Sequence, residues 1–227
     1  LLVLVVFLFA FSSKRNGSRI ISDPKVEFKG DNNLYITESN VSKLLIQNLS
    51  SAKKSSKVSL DLNQLESALK SNPMIKSAEV YTSVDGELKA DVEQKRPIAR
   101  VHTLASYYID DQGGYMPLSS NYSARVPLIT GHVDKGSLAS VFQIARKVDH
   151  DEFLRKYVIE IHQYEDENVS IRLRQTDFEV YLGTFEHLEK KINNLKVFYK
   201  KALKENTLNS YERVNLQFEN QVVCTKK

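Results

Sequence analysis

The five histidines of this chain are its most obvious candidates for a chemical role, because imidazole binds metal ions and transfers protons near neutral pH. A zinc site needs two or more such ligands at the short spacings that place them on one helix face or in one turn. The histidines never fall at that spacing, and a lone histidine is more often an ordinary surface or core residue. We therefore assign no metal site to His102, His132, His150, His162 and His187.

A short group of acids could act as a catalytic carboxylate pair. Asp149, Asp151 and Glu152 lie within four residues of one another. Catalysis would require the carboxylates to stand on the two sides of a cleft. These acids instead adjoin Lys147 and His150 near a predicted helix end, where acidic side chains are usually solvated.

Cys224 is the one cysteine, which excludes an intrachain disulfide and a site with several cysteine ligands. It could be a nucleophile, but its place in an alternating apolar run favours a small packing residue. The sequence also contains no Gly-rich phosphate loop, Gly-x-Ser-x-Gly elbow or His-Glu-x-x-His helix. We expect no catalytic residue and no cofactor, although a cleft built from dispersed acids would leave no linear motif.

Composition allows one or two globular domains with true cores, because 41% of the 227 residues are hydrophobic. The formal net charge is +4, and the basic residues are spread among nearly as many acids. No dense basic block is present to follow a phosphate backbone. We therefore expect two modest domains, no nucleic-acid partner and no small-molecule substrate.

Residues 1–11 form an entirely apolar run, which is shorter than the roughly 20 residues that span a bilayer. We interpret the run as the C-terminal part of a transmembrane helix, with a signal peptide or a buried strand as alternatives. Since the chain opens on Leu1, we expect further residues before it. Residues 12–19 form a polar linker. Its basic residues, Lys14, Arg15 and Arg19, disfavour an outward-facing C-terminal part by the positive-inside rule.

Residues 20–96 have the pattern strand, helix, helix, strand, strand, which predicts a two-layer α+β domain. The first strand ends near Gly30, and Thr37 is the predicted N-cap of the first helix. We expect an exposed loop over residues 50–57. A capping-box-like start at Asp61 opens the second helix, and Pro73 ends it. A hairpin then follows: Ala78, Val80 and Thr82 alternate before a turn at Asp85-Gly86, and Leu88, Ala90 and Val92 alternate after it.

The second half of the chain also contains segments in which apolar and polar residues alternate. Apolar residues at every second position predict strands near residues 169–173 and 178–182, and a continuous last strand over residues 214–224. Between them a helical face is predicted from the spacing of Leu188, Ile192, Leu195 and Tyr199.

Three segments in order give the chain a family resemblance. They are Glu93 with Arg96-Pro97-Ile98-Ala99, then Tyr108-Ile109-Asp110 with Gly113 and Met116, then residues 126–131, Val-Pro-Leu-Ile-Thr-Gly. Together with Asn72-Pro73 they resemble the FtsQ/DivIB family of bacterial division proteins, and the composition is similar to its Bacteroidetes-type members. The chain departs from the family at Met74, where an aromatic is common, and at Asn215 and Gln217, where aspartate and arginine are common.

The resemblance implies an α+β protein with a membrane-anchor helix. A POTRA domain (β-α-α-β-β) would occupy residues 20–96, and an FtsQ-type mixed β domain with flanking helices would occupy residues 97–227. It also implies a non-enzymatic, single-pass inner-membrane scaffold with periplasmic domains at the division septum. Its partners would be FtsB/FtsL-like coiled-coil proteins and the septal peptidoglycan synthesis machinery.

In this family the C-terminal edge of the sheet binds an extended partner segment, which places the expected contacts on the last strand. Carried over by position, those contacts are Phe218, Asn220, Val222 and Val223. Val222 and Val223 would point to opposite faces, so we expect at least one to pack in the core. Tyr211 and Phe218 could be partner anchors or core aromatics.

A second interpretation also uses the POTRA resemblance. POTRA domains serve outer-membrane protein assembly and secretion by receiving extended polypeptides. Proteins of that class carry a long series of barrel strands after their POTRA repeats, whereas one such module is seen here. The division role is therefore the favoured interpretation.

Overall fold

The computed structural model describes residues 24–54, 61–84, 86–134, 138–218 and 221–227. The chain divides into two compact units, with the boundary between Lys95 and Arg96. The expected anchor at residues 1–11 and the linker at residues 12–19 lie outside the described residues. Within the described ranges no helix is both long and apolar enough to cross a membrane.

In its described residues, the first unit is a three-stranded sheet with two helices. Its elements are β1 (Lys25–Lys29), α1 (Glu38–Lys54), α2 (Leu62–Lys70), β2 (Ile75–Thr82) and β3 (Leu88–Gln94). The strand order is β1-β3-β2, with β1 parallel and β2 antiparallel to β3. Apolar residues of both helices pack with those of β2 and β3 in one core, among them Val41, Leu45, Leu65 and Val92. The predicted α+β fold class is confirmed.

Local signals fix the helix starts of this unit. The Asp61 carboxylate accepts a hydrogen bond from the backbone N–H of Gln64 at 3.1 Å and caps α2. The Thr37 hydroxyl accepts from the N–H of Asn40 at 3.3 Å, so the predicted N-cap of α1 is also confirmed.

The prediction of a loop over residues 50–57 is wrong in its first part, because α1 continues to Lys54. Serine and lysine do not stop a helix, and no glycine or proline interrupts this stretch.

The second unit is built on a larger mixed sheet. Its strands are β4 (Pro97–His102), β5 (Ser106–Asp110), β6 (Tyr115–Met116), β7 (Leu128–Gly131), β8 (Val158–Gln163), β9 (Val169–Leu173), β10 (Glu179–Gly183), β11 (Tyr211–Asn215) and β12 (Val223–Lys226). The described strands form one sheet in the order β12-β11-β10-β9-β8-β7-β4-β5-β6. The pairs β4/β7, β7/β8 and β10/β11 are parallel, and the other pairs are antiparallel.

In the part of the second unit that the structure describes, three α-helices and a short 3-10 helix accompany this sheet. They are α3 (Ala139–His150), α4 (Glu152–Tyr157), α5 (Leu188–Lys204) and the 3-10 helix Leu208–Ser210. Apolar residues of α3 and α5, such as Ile144 and Leu195, pack with inward-facing strand residues in a single core. The helix predicted from residues 188–199 is confirmed as α5.

The predicted continuous strand over residues 214–224 is wrong. Two antiparallel strands are described here instead, β11, which ends at Asn215, and β12, which begins at Val223. The side-chain oxygen of Asn215 accepts a hydrogen bond from the N–H of Gln217 at 2.9 Å. Such a bond from an asparagine to the backbone two residues ahead favours a turn over continued extension. The chain therefore reverses and returns beside β11.

Candidate protein-interaction edge

Strand β12 is an edge strand of the larger sheet. It pairs with β11 through Asn215 with Val223, Val214 with Cys224, and Arg213 with Thr225. Among the strands that the structure describes, β11 is its one neighbour. The other side of β12 therefore presents backbone donors and acceptors to which an extended segment could pair.

Contacts at the C-terminus hold β12 in place. The backbone N–H of Lys227 donates to the carbonyl of Ser210 at 3.0 Å, and the Lys227 ammonium lies 3.0 Å from the Asp177 carboxylate. Lys226 pairs with Tyr211 at the other end of the β11/β12 register. The strand is thus a preformed edge.

The four residues predicted for partner contact occupy different environments. Phe218 is 40% exposed and lies in the connection after β11, so its placement in a strand is wrong because of the turn at Asn215. Asn220 lies outside the described residues. Val222 is half-buried and packs against the core just before β12, whereas Val223 begins the strand and is 42% exposed. The expectation that one of the two valines packs inward is confirmed.

The two faces of the sheet at β12 are chemically different. Cys224 packs against the core, and burial raises the pKa of its thiol, which favours the neutral form and agrees with a packing role. Val223 and Thr225 are both exposed on the opposite face. A partner strand beside β12 would therefore meet exposed side chains at every second residue.

The sheet face next to Val223 carries a charge ladder that linear motifs did not reveal. Strand register places Arg213 beside Glu179, Glu179 beside Arg172, and Arg172 beside Glu160. The Arg213 and Glu179 side chains approach to 3.4 Å, and those of Arg172 and Glu160 to 3.5 Å. The sequence does show a polar residue at every second position of these strands. Which of these residues pair, however, depends on the strand register.

Aromatic residues accompany this ladder. The guanidinium of Arg213 lies 4.4 Å from the ring centre of Tyr181. The Tyr164 hydroxyl donates to Glu179, and burial together with this carboxylate raises the pKa of Tyr164. Burial opposes ionisation of Glu179, but hydrogen bonds from Ser170 and Tyr164 and the charge of Arg213 outweigh it and lower its pKa. The ladder is therefore a set of compensated charges that orders the open face of the sheet.

The acids considered for catalysis take part in structural contacts. Asp149 accepts two hydrogen bonds of 2.8 Å from the guanidinium of Arg96. Asp151 caps α4 by accepting from the N–H of Leu154 at 3.1 Å, and it binds the Lys196 ammonium at 2.6 Å. These two carboxylates are therefore occupied by fixed partners.

The described ranges contain no group of three or more side chains able to hold a metal ion. His162 lies in β8, the strand that carries Glu160, and its Nδ1 lies 2.9 Å from the Thr130 hydroxyl. Its ring stacks edge-on against Tyr164, with centres 4.7 Å apart.

Comparison with known proteins agrees with this architecture. A family model described as a POTRA-like domain matches residues 25–93, and one described as FtsQ/DivIB, C-terminal related, matches residues 96–225. The chain is also 23% identical over 179 residues to the cell division protein FtsQ of Geotalea daltonii (strain DSM 22248 / JCM 15807 / FRC-32). That similarity covers 74% of this chain and 64% of the relative's length. Because the C-terminal family model spans more than half of the 227 residues, this protein belongs to the FtsQ/DivIB family.

Proposed function

We propose that this protein is a non-enzymatic, single-pass membrane scaffold of the bacterial division machinery. It links FtsB/FtsL-like coiled-coil proteins to the septal peptidoglycan synthesis machinery through periplasmic domains at the septum. Residues 1–11 belong to the anchor, residues 20–96 to the POTRA domain and residues 97–227 to the β domain. The observation that carries the proposal is the open edge of β12, in the part of the chain matched by the FtsQ/DivIB C-terminal model.

Partner capture follows from the geometry of an open edge. An extended partner segment pairs its backbone with β12, which supplies affinity through hydrogen bonds. Val223 and Thr225 on one side of the strand provide specificity through alternate side chains. Phe218 and Val222 precede β12 in the sequence, and we propose that they and Asn220 also contact the partner.

One edge of the smaller sheet, strand β1, is less suited to this role. Its lysines are charged and take part in ion pairs. Lys25 binds Glu87 at 2.7 Å, and Lys29 lies 3.0 Å from Glu27 and 3.4 Å from Asp91. Charged edges discourage strand addition. This contrast favours β12, which begins with the apolar Val223, over β1 as the receiving edge.

Capture from the native host tests the proposal. Tagged full-length protein is purified from host membranes, and the co-purifying proteins are identified by mass spectrometry. The variants Phe218→Glu and Val223→Glu place a charge at the proposed contact, and Leu104→Glu makes the same change at a fully exposed position of the β4–β5 turn. We expect both contact variants to lose FtsB/FtsL-like proteins while Leu104→Glu keeps them, with circular dichroism unchanged in all three.

Equal capture by all three variants would contradict the proposed edge. Recovery of outer-membrane assembly factors in place of coiled-coil division proteins would support the outer-membrane assembly or secretion role. The match of residues 96–225 to the FtsQ/DivIB model favours the division role.

A further inference from the structure

Helix α5 carries an exposed apolar surface beside α4. Val197 is 70% exposed and Leu203 is 53% exposed, although both lie on a helix whose other face is in the core. Beside them, Phe153 and Tyr157 are partly buried and pack on the ring of Tyr199, with ring centres 5.3 and 5.0 Å from it. We call Phe153, Tyr157, Val197, Lys200, Leu203 and Lys204 the α5 patch.

The same surface is basic. Residues 190–204 contain six lysines and no acid. Two of them are engaged, since Lys191 is buried and donates to the carbonyl of Thr184 at 2.7 Å, and Lys196 binds Asp151. Within the described ranges, Lys200, Lys201 and Lys204 are exposed and have no ion-pair partner. The patch therefore combines uncompensated positive charge with protruding aliphatic side chains.

Helical spacing puts these features on one face. Positions three and four residues apart are neighbours on a helix, so Lys200 lies between Val197 and Leu203, and Lys204 follows Lys200. Lys156 of α4 extends the positive charge, with its ammonium 5.3 Å from the ring centre of Tyr157. The result is a surface on which exposed aliphatic side chains and lysines are interspersed.

We propose that the α5 patch binds the surface of an anionic phospholipid bilayer. Lysines are attracted to the lipid phosphates while Val197 and Leu203 enter the interface between headgroups and acyl chains. This contact goes beyond the scaffold role, since strand addition at β12 needs no second contact with a membrane. It would limit the orientations that this unit adopts beside the bilayer.

Charge and shape favour a bilayer over other occupants. A second copy of the chain in a two-fold arrangement would place lysines against lysines. Phe153, Tyr157, Val197 and Leu203 line an open apolar hollow, and the lysines beside it favour an anionic surface over an uncharged partner helix. An acidic protein partner would favour arginine, which binds carboxylates through paired hydrogen bonds, whereas the basic residues of the patch are lysines, which act as flexible point charges. A lipid surface requires only the charge and the exposed aliphatic side chains.

Depth measurements on the full chain test this proposal. A nitroxide is attached at Val197→Cys in a Cys224→Ala background, and the protein is incorporated into vesicles of phosphatidylcholine, alone or mixed equally with phosphatidylglycerol. Collision with oxygen, which concentrates in lipid, is compared with collision with a nickel chelate, which stays in water. The same label at Leu104→Cys reports a fully exposed position outside the patch.

We expect the label at position 197 to become accessible to oxygen and shielded from nickel only in the anionic vesicles. The label at position 104 should stay aqueous in both. The double variant Lys200→Glu/Lys204→Glu should lower the lipid-immersed fraction about tenfold or more. Lys43→Glu/Arg125→Glu makes the same change in net charge at two exposed basic residues outside the patch and outside β12, and should have little effect.

An aqueous label at position 197 in both vesicle types would overturn the proposal, as would an immersed fraction unaffected by Lys200→Glu/Lys204→Glu. Shielding that requires a synthetic acidic amphipathic helix would also overturn it, in favour of a protein partner. This test is separate from the capture experiment, because Val223→Glu alters β12 and leaves the α5 patch intact.

Discussion

The side-chain amide of Gln94 binds both backbone groups of Ile36, 58 residues earlier in the chain. Its oxygen accepts from the N–H of Ile36 at 3.1 Å and from the N–H of Tyr35 at 2.9 Å, and its nitrogen donates to the carbonyl of Ile36 at 2.9 Å. All three groups are buried, so one glutamine at the end of β3 supplies the bonds that the segment before α1 cannot make with itself.

Replacing Gln94 by leucine keeps the volume and removes these three bonds. We expect Gln94→Leu to destabilise the first unit by about 2–4 kcal/mol, because buried backbone groups are left without partners. Hydrogen exchange of β3 amides, read by mass spectrometry, measures this unit alone. Gln64→Leu, at an exposed position of α2, is the control and should change protection little. Equal effects of the two variants would show that the Gln94 amide does not hold this segment.

Gly131 ends β7 where only glycine fits. Its φ is +89°, and a Cβ atom there would lie 2.0 Å from the carbonyl oxygen of Gln163. We expect Gly131→Ala to destabilise the second unit by more than about 2 kcal/mol, because the clash adds to the backbone strain. Gly30→Ala has a φ of +80° and open space around the added methyl group, so it should cost its own unit about 1 kcal/mol. Urea unfolding of both variants measures the difference, and a Gly131→Ala cost no greater than that of Gly30→Ala would contradict the steric explanation.

The ion pair between Arg96 and Asp149 should make stability depend on pH in the acid range. The hydrogen bonds from Arg96 outweigh burial and hold the pKa of Asp149 below its ordinary value. A carboxyl group with a lowered folded-state pKa stabilises the fold above its unfolded pKa of about 3.9, and this contribution is lost as pH falls through the folded pKa. Asp149→Asn should cost about 1–3 kcal/mol at pH 7, and the cost should shrink below about pH 4.

Urea unfolding of the second unit at pH 7 and at acid pH measures this dependence. Glu165→Gln removes an exposed carboxylate nearby in the chain and should show no comparable cost at either pH. A cost of Asp149→Asn that stays the same at acid pH would contradict a role for the ionised pair.

Local chemistry explains which elements were predictable from the sequence. Strict alternation around Gly86 and the Asp61 cap predicted the hairpin and α2, since these signals act within a few residues. The turn at Asn215 divided the expected last strand because one side-chain bond outweighed the alternating pattern of residues 214–224. The polar residues of β8 to β11 alternate visibly, and β8, β9 and β10 are consecutive antiparallel strands. The contact between Glu179 and Arg213, however, depends on the parallel crossover from β10 to β11. Such long-range register is not encoded in any short segment.

Hydrogen exchange of the β12 amides tests the central claim most directly. The full-length protein is measured alone and in a complex purified with its FtsB/FtsL-like partners, and exchange is followed for residues 223–226. Strand addition predicts that the alternate β12 amides that point away from β11, and are therefore open in the free protein, become protected in the complex, with no comparable change in β1. A stable complex in which β12 exchanges as fast as in the free protein would contradict partner capture at this edge.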